Sequence, residues 1–375
     1  MTSAAAAAAA APPVPAVRRR TRSLHLAAAI DVPDRYEVAS HGELARLAEG
    51  GALDFVTLDG AADADPLAVL TAVAAETGRI GLVPAVPVTR SGPRGVAAAV
   101  GALDSASRGR AGWTPKAVPE PPPESASGPA SGPASGPASG PASGQRSGRR
   151  SGRRSESRAG GTADLRSGPR SALTPKARAE AMWRETAAVA EAVAREWDGG
   201  APGSGPQVRQ GRPVTAVDAT EPAARAVAAR YADLAFVRAA GPETAGLVRD
   251  ELRRLAVGAG RDPDRLLVLA ELSVDLGGGE IGPEPGAEIT LVPDGAGGVL
   301  FCGGPVDLAE LIAAWQQAGA VDGFRVRPVE PRRDLERFVN GTTALLQHRG
   351  LFRSFHPGAT LREHLGLHRP LPDLR

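Results

Sequence analysis

The sequence is poor in cysteine and in aromatic residues. Its one cysteine, Cys302, excludes an internal disulfide and suits a reducing compartment, so we expect a cytoplasmic protein. Aromatic residues make up 3% of the chain, whereas nucleic-acid-binding surfaces typically interleave aromatic with basic side chains. Two lysines accompany 42 arginines, yet the formal net charge is only +2. The composition therefore argues against nucleic acid as a partner.

The sequence also has no long run of strongly apolar residues. A membrane-spanning helix needs about 18 of them, so we expect no membrane span. The first 22 residues, MTSAAAAAAAAPPVPAVRRRTR, place the arginines after the alanines, which reverses the order of a secretory signal. We predict a disordered leader over residues 1–22.

Several catalytic motifs are missing as well. The chain contains no P-loop, no CxxC pair and no recognisable Ser/His/Asp nucleophile pattern. His364 and His368 have the spacing of two metal ligands on a helix, but no further ligands follow before the chain ends. We predict no metal site.

What the sequence does contain is a regular alternation of short apolar segments with amphipathic ones. Such alternation indicates parallel strands joined by right-handed helical crossovers. An open doubly wound sheet should carry a glycine fingerprint after its first strand, and AAAIDVPDRYE has none. We therefore predict an α/β fold, a (β/α)8 TIM barrel. Its eight strands lie in SLHLAAAID, LDFVTLD, RIGLVPAVPV, RAGW, PVTAVDA, DLAFVRA, RLLVLAELSVDL and DGFRVRPV.

A low-complexity insert interrupts this alternation after the fourth strand. It contains four SGPA repeats and then an arginine-rich stretch, a composition that cannot bury enough apolar surface to fold. The tetrapeptide TPKA stands on both sides of it, which favours an expansion within one loop; a lid over the barrel is the alternative. The predicted segments are the leader, 23–117 (first part of the barrel), 118–172 (disordered insert), 173–349 (second part) and 350–375 (C-terminal extension).

Five stretches resemble the bacterial luciferase-like flavin-dependent monooxygenases. They are LDFVTLD, RIGLVPAV, ALDSASRGRAGW, the helix ending in REW, and GLFRSFHPGATLREHLGL. The resemblance is greatest for the branch that includes the nitrilotriacetate, dibenzothiophene-sulfone and alkane monooxygenases. It implies a luciferase-like barrel that uses reduced FMN, or F420 as in some relatives, and O₂ on a small organic substrate. It also implies a flavin reductase as partner and, as in many relatives, a homodimer.

The same resemblance implies a set of cofactor-binding residues. Asp59 matches the acidic position after the second strand, and Thr114 stands where relatives usually have Asn or Gln facing the flavin. Thr220 lies in the phosphate turn, Thr89 is the hydroxyl residue near the end of the third strand, and His25 matches the first-strand pattern. Structural alternatives stay open, since Asp59 could cap a helix and His25 could be a core histidine. No catalytic residue is assigned.

Three positions depart from the family pattern. Pro87 and Gly95 occupy places where relatives commonly have a hydroxyl residue and a histidine, and proline offers neither a side-chain hydrogen bond nor an N–H. Glu221 would place a negative charge beside a phosphate. These departures support an alternative function: a catalytically impaired luciferase-like barrel that serves as a structural or partner-binding subunit.

Overall fold

The computed structural model describes residues 23–32, 37–60, 65–88, 92–116, 174–199, 208–277, 290–295 and 297–369. Eight parallel strands form a closed ring in the order β1-β2-β3-β4-β5-β6-β7-β10, and the pairing of β10 with both β7 and β1 closes it. The α/β barrel predicted from the sequence is confirmed, and each of the eight predicted segments contributes one strand. The ring strands are β1 (His25–Ala29), β2 (Phe55–Leu58), β3 (Gly81–Pro87), β4 (Gly112–Lys116), β5 (Val214–Asp218), β6 (Leu234–Val237), β7 (Leu267–Asp275) and β10 (Gly323–Pro328).

Helices follow most ring strands and cover the outside of the barrel. Several begin with proline, whose fixed φ suits a first helical turn, and the Asp65 side chain caps one of them by accepting from the N–H groups of Leu67 and Ala68. Among the described helices, none has both the length and the apolar composition needed to cross a membrane. The helices are α1 (Val38–Gly50), α2 (Pro66–Val73), α3 (Gly92–Ala106), α4 (Pro175–Asp198), α5 (Pro222–Tyr231), α6 (Pro242–Gly258), α7 (Pro305–Gln317), α8 (Pro331–Arg337), α9 (Ala344–His348) and α10 (Leu361–His364), with a 3₁₀ turn at Pro263–Arg265 and a π-helical turn at Phe338–Thr343.

A hairpin outside the ring was not predicted from the sequence. Strands β8 (Thr290–Pro293) and β9 (Val299–Cys302) are antiparallel, and β9 pairs in parallel with the last three residues of β7. Cys302 is the last residue of β9. The hairpin therefore adds two strands beside the end of β7, outside the ring and near the carboxyl ends of the ring strands.

The barrel interior contains an apolar layer that the C-terminal segment closes at the amino-terminal end. Phe55 and Phe236 meet inside it, with ring centroids 6.2 Å apart. Leu361 packs so close that a Cβ on Gly81 would lie 2.5 Å from its Cδ1, so this position must lack a side chain. The TLREHLGL stretch, one of those that resemble the family, therefore closes this end of the barrel and has a structural role. The layer consists of Ala27, Phe55, Val83, Val214, Ala216, Leu234, Phe236, Leu267, Leu269, Leu361 and Leu365.

Beneath this layer, a buried carboxylate organises the amino-terminal end. Asp54 accepts from the backbone N–H of Leu26 at 2.9 Å, and its Oδ1 lies 3.1 Å from His25 Nδ1 and 3.0 Å from Arg353 Nη1. Burial raises the pKa of Asp54, but His25 and Arg353 together hold it below its usual range. His25 is thus a partnered histidine at the end of the barrel opposite to the strand carboxyl ends.

The position of the low-complexity insert agrees with the sequence analysis. β4 ends at Lys116 and α4 begins at Pro175, so the insert lies in the β4–α4 connection. The predicted disorder of residues 1–22 and 118–172 concerns stretches outside the described residues.

Candidate functional site

The candidate site is the ring of inward-facing side chains at the carboxyl ends of the strands, here called the mouth. Side chains alternate along a strand, so residues two or four positions after the apolar layer face the same interior. Ala29 of β1 and Ala85 and Pro87 of β3 are small and apolar, while the other positions, including those of β2 between them, are polar or charged. The polar set is Asp31, Thr57, Asp59, Thr114, Lys116, Asp218, Arg238, Glu271, Arg325 and Arg327.

Arg325 of β10 lies at the centre of the mouth. Its side chain is only 4% exposed, and its Nε donates to Thr57 Oγ1 at 2.9 Å. Nη1 donates to Glu271 at 2.7 Å and Nη2 to Asp59 at 2.6 Å, while the guanidinium lies 4.8 Å from the centroid of Phe236. Two carboxylates and a hydroxyl thus satisfy this buried cation, as burial of a charge requires.

Glu271 of β7 gathers three arginines. It accepts from Arg325, from Arg238 Nε at 2.9 Å and from Arg327 Nη1 at 3.2 Å. Burial raises the pKa of Glu271, but Arg325 first, then Arg327 and Arg238, bring it below the usual value. The sequence analysis did not identify Arg325 and Glu271. The signal was there: in FRVRP and LAELSVD, charged residues occupy alternate positions of otherwise apolar strands.

Asp59 lies at the mouth, directly after the end of β2. Its carboxylate is bound to Arg325, and its carbonyl oxygen accepts from Lys116 Nζ at 3.2 Å. Burial opposes ionisation, yet Arg325 above all, with Arg327 and Lys116, keeps the pKa of Asp59 below its ordinary value. Asp59 is therefore an ionised member of the network, and Asp65, not Asp59, caps helix α2.

Asp31, two residues beyond the end of β1, differs from its neighbour Asp59. Its Oδ1 accepts from the N–H groups of Asp59 and Gly60 at 2.9 and 3.0 Å. Its Oδ2 is sealed from solvent and has no hydrogen-bond partner among the described residues. Burial, and after it the negative charge of Asp59, raises the pKa of Asp31. The mouth thus combines one carboxyl group with a raised pKa and two, Asp59 and Glu271, with a lowered pKa.

Replacing Asp31 with asparagine is expected to make the protein relatively more stable as the pH rises. The folded-state pKa lies above the unfolded value, so ionisation of Asp31 withdraws stability as the pH rises from about 4 through the folded-state pKa. Asparagine has the same shape and cannot ionise. Urea unfolding measures the free energy of unfolding of both proteins at about pH 4 and pH 7. The value for D31N minus the value for the parent should be more positive at pH 7. The exposed Asp250→Asn on α6 serves as the control, and an equal difference at both pH values would contradict the assignment.

Thr114 and Trp113 of β4 face opposite sides. A Cβ on Gly112 would meet Val83 of the apolar layer, so Thr114, two residues on, faces the interior as well. Trp113 points outward, fully buried, with its ring 6.0 Å from that of Trp197 and its Nε1 donating to Thr215. Thr114 therefore faces the mouth, whereas Trp113 packs against other side chains outside the barrel interior.

Thr220 lies at the same end of the barrel, but its polar groups have partners within the protein. Its N–H donates to Asp218 Oδ1 at 3.0 Å, and its hydroxyl oxygen accepts from the N–H of Arg238 at 3.2 Å. Glu221, the residue before α5, lies near Trp183, whose Nε1 donates to its carboxylate at 3.4 Å. The turn is thus held in an Asx-type conformation by its own side chains.

The predicted residues are therefore only partly brought together. Asp59, Thr114 and Thr220 share the carboxyl end of the barrel, and a chain of contacts through Arg325, Glu271 and Arg238 links Asp59 to Thr220. His25 lies at the opposite end, where Asp54 binds it, and the structure does not bring it into the mouth. Thr89 lies outside the described residues. Within the described residues, no group of His, Cys, Asp or Glu is arranged to hold a metal.

This donor set fits the polar edge of a flavin better than it fits a phosphate. A reduced flavin ring carries negative charge on one edge and an N–H donor nearby, and the mouth offers Arg327 and Lys116 as cations, Asp59 as an acceptor and Thr114 as a hydroxyl. The orphaned Oδ2 of Asp31 is a further hydrogen-bonding group without a protein partner. At Thr220 the N–H group is already engaged, so the turn has fewer donors to offer a phosphate.

Comparison with known proteins confirms the resemblance to the luciferase-like family. The family model described as luciferase-like monooxygenase matches residues 20–114, from the leader to β4. Nitrilotriacetate monooxygenase component A of Aminobacter aminovorans is 41% identical over 68 residues, 18% of this chain and 15% of that protein. Dibenzothiophene-sulfone monooxygenase of Rhodococcus erythropolis is 33% identical over 91 residues, 24% of this chain and 19% of that protein. The aligned stretches thus span less than a fifth of either relative.

The structural similarity extends further than the sequence similarity. EDTA monooxygenase from Chelativorans sp. BNC1 superimposes with a TM-score of 0.68 and covers 93% of this chain and 99% of its own, at 16% sequence identity. At that identity the match establishes a shared fold. The activity must be argued from the mouth itself.

Proposed function

We propose that this protein is a flavin-dependent oxidoreductase. The chain resembles the luciferase-like monooxygenases over residues 20–114 and shares their barrel fold. The proposed reaction is the monooxygenation of a small organic substrate with reduced FMN and O₂. The observation that carries this proposal is the mouth: Asp59 lies at the acidic position after β2 within a cation-rich, largely buried network. The similarity over residues 20–114 includes β1 to β3 and most of β4, which supply Asp59 and Thr114.

The residues of the mouth have distinct tasks in this proposal. Bound flavin supplies the chemistry with O₂. Arg325 and Glu271 hold Asp59 and Arg327 in place, so that fixed charges rather than water surround the polar edge of the ring. Arg327 and Lys116 favour its reduced, negatively charged form, Thr114 offers one hydrogen bond, and Asp31 offers a carboxyl group whose pKa is raised by burial. In the β5–α5 turn, Thr220 is the residue whose hydroxyl group is best suited to bind a phosphate.

The partners proposed with this activity follow the relatives. A protein named component A implies a second component, and a flavin reductase that supplies reduced flavin fits that place. F420 is the alternative cofactor, since a tetrahydromethanopterin reductase of similar fold depends on coenzyme F420. We also propose a homodimer in the cytoplasm. The relatives' names do not agree on a substrate, because nitrilotriacetate and EDTA are polycarboxylic acids and a sulfone is not.

Flavin titration tests the proposal, and Thr114→Val sharpens it. The side chain of Thr114 has no hydrogen bond among the described residues, so valine should preserve the fold while removing one contact to the flavin. We expect the parent to bind reduced FMN at micromolar concentrations and T114V to bind it about fivefold to tenfold more weakly, the value of one hydrogen bond. Fluorescence quenching under anaerobic conditions measures both, and unchanged melting temperatures exclude misfolding.

Thr71→Val, on helix α2, is the matched control for Thr114→Val. Thr71 donates to the carbonyl of Leu67 on the outside of the barrel and should leave flavin affinity unchanged. If the parent fails to bind oxidised or reduced FMN at millimolar concentration, the proposed activity is wrong.

The alternative, an impaired barrel that binds a partner, rests on separate observations. Pro87 at the end of β3 offers no hydrogen bond, and the Thr220 N–H is engaged by Asp218. If the chain has lost flavin binding through Pro87, then Pro87→Ser should restore or tighten it. An affinity that serine leaves unchanged would show that this position does not face the flavin.

A further inference from the structure

Most helices that begin around the mouth carry an acidic residue at their start. A phosphate commonly binds at such a helix start, where N–H groups without a partner and the positive end of the helix dipole face it. Here a protein carboxylate stands at the N-cap or in the first turn, and each of these helices except α1 begins with proline, which has no N–H. The residues are Glu37 (α1), Asp65 (α2), Glu221 (α5), Glu243 (α6), Asp307 (α7) and Glu330 (α8), whereas α3 and α4 follow stretches outside the described residues.

The β5–α5 turn, to which the resemblance assigns the phosphate, has few donors left. The N–H of Thr220 already donates to Asp218 at 3.0 Å, and that of Ala224 donates to the carbonyl of Glu221 at 3.0 Å. Pro222, which lies between them, has no N–H. The Thr220 hydroxyl, whose oxygen accepts from a backbone N–H, can still donate one hydrogen. A single neutral hydrogen bond contributes little to holding a dianion.

The cations beside this turn are engaged by the protein itself. Arg225 donates to the carbonyl oxygens of Ala219 and Thr220 at 3.3 and 3.2 Å, and its Nη1 donates to Glu251 at 2.6 Å. Arg238 bonds to two carboxylates, as described above. A phosphate would have to displace one of these partners in order to gain a cation.

The remaining surroundings of the turn are negatively charged. The Glu221 carboxylate is exposed at the start of α5, next to the N–H of Ala223. The turn between β8 and β9 lies against the same residues, since a Cβ on Gly297 would lie 3.9 Å from Thr220 Cγ2, and this turn carries Asp294. A dianion placed at Thr220 would therefore lie beside one carboxylate and close to a second, and both would repel it.

We propose that this barrel holds its flavin by the ring alone and makes no use of the phosphate of FMN, so that riboflavin binds as tightly as FMN. This deepens the proposed function and rests on it, since it concerns the cofactor of the same site. The mouth has partners for the polar edge of the ring. The β5–α5 turn, in contrast, offers a phosphate engaged donors and negative charge. Reduced riboflavin can therefore take the place of reduced FMN in this protein.

Anaerobic titration of the parent protein with reduced FMN and with reduced riboflavin tests the proposal. Quenching of tryptophan fluorescence gives both dissociation constants, and we expect them to agree within about threefold or riboflavin to bind more tightly. A built phosphate site with charge-assisted hydrogen bonds would favour FMN by about tenfold or more. A preference for FMN of more than threefold would overturn the proposal and leave the proposed function intact. If neither flavin binds at millimolar concentration, both are wrong.

Glu221→Ser tests whether the β5–α5 turn is the cause. Serine removes the charge and is a favourable N-cap, so E221S should bind FMN about fivefold more tightly than the parent does, with the affinity for riboflavin unchanged. This gain should shrink as salt is added. Glu43→Ser on α1, four strands away in the ring and 53% exposed, removes the same charge and should bind both flavins like the parent.

An E221S protein with the FMN affinity of the parent would overturn the role assigned to this turn. Equal melting temperatures of E221S and the parent exclude misfolding as the reason. The parent protein alone decides the comparison of FMN with riboflavin, so a variant that fails to fold cannot obscure that result.

Discussion

Replacing Arg325 with methionine is expected to lower the free energy of unfolding by about 3–5 kcal/mol, the cost of leaving buried charges without their partner. Arg325 is 3% exposed and donates hydrogen bonds to Asp59, Glu271 and Thr57. Methionine fills similar volume but neutralises neither carboxylate. Arg325→Lys keeps the charge, yet one ammonium cannot match the planar guanidinium, so we expect an intermediate loss. Urea unfolding monitored by circular dichroism measures all three proteins.

A surface ion pair provides the control for Arg325. Arg349 lies 2.6 Å from Glu310, but its side chain is 34% exposed and that of Glu310 is 55% exposed. Arg349→Met should therefore cost less than about 1 kcal/mol. Neutralising the acids as well, in the triple variant R325M/D59N/E271Q, should recover part of the loss. An R325M protein within 1 kcal/mol of the parent would mean that Arg325 does not hold the network together.

The second large effect concerns acid stability at the other end of the barrel. His364 of α10 is 3% exposed, and neither ring nitrogen has a hydrogen-bond partner among the described residues. Burial, and then the ring of His356 at 5.0 Å, lowers the pKa of His364 to about 4, while the nearby Asp54 opposes this only in part. Its environment therefore favours the uncharged imidazole.

The sign of the pH dependence follows from that shift. As the pH falls through about 6.5, the unfolded chain binds a proton at His364 and the folded protein does not, so stability declines until the pH reaches about 4. The loss is at most about 3 kcal/mol, and it levels off below the folded-state pKa. His364→Phe keeps an aromatic ring without a titrating nitrogen. It should therefore lose about 2–3 kcal/mol less than the parent between pH 7 and pH 4.

The control for His364 is four residues away. His368 is exposed, and His368→Gln should show the same pH dependence as the parent. Carboxylates elsewhere contribute equally to all three proteins, so the comparison isolates the buried ring. Identical acid-induced losses in H364F and the parent would show that His364 is not the group responsible.

Much of the architecture could be predicted because barrel strands are locally encoded. A segment such as LDFVTLD is apolar over most of the length of one strand and ends at a polar residue, so the pattern predicts both the strand and its end. The closing pairing of β10 with β1 is not local, but eight parallel units with right-handed crossovers leave few other arrangements. The β8–β9 hairpin was missed because it lies outside this alternation.

The candidate site was predictable only where it followed a strand end. Asp59 and Thr114 could be placed because each stands at or just beyond the end of a strand. Arg325 and Glu271 lie inside apolar strands, and a reading that seeks buried apolar runs passes over them. Trp113 and Thr114 are neighbours in sequence, and only the pleat decides that one packs outward and the other faces the mouth.

The sequence by itself determined the barrel, the order of its strands, the place of the insert and the resemblance to luciferase-like monooxygenases. Only the tertiary structure decided which charges meet: that Arg325 binds Asp59 and Glu271, that Asp31 keeps an unpartnered oxygen, and that His25 lies at the opposite end of the barrel. The physical reason is that strand patterns depend on neighbours along the chain. The protonation and partners of a buried charge instead depend on distances between residues far apart in sequence, such as the 266 positions that separate Asp59 from Arg325.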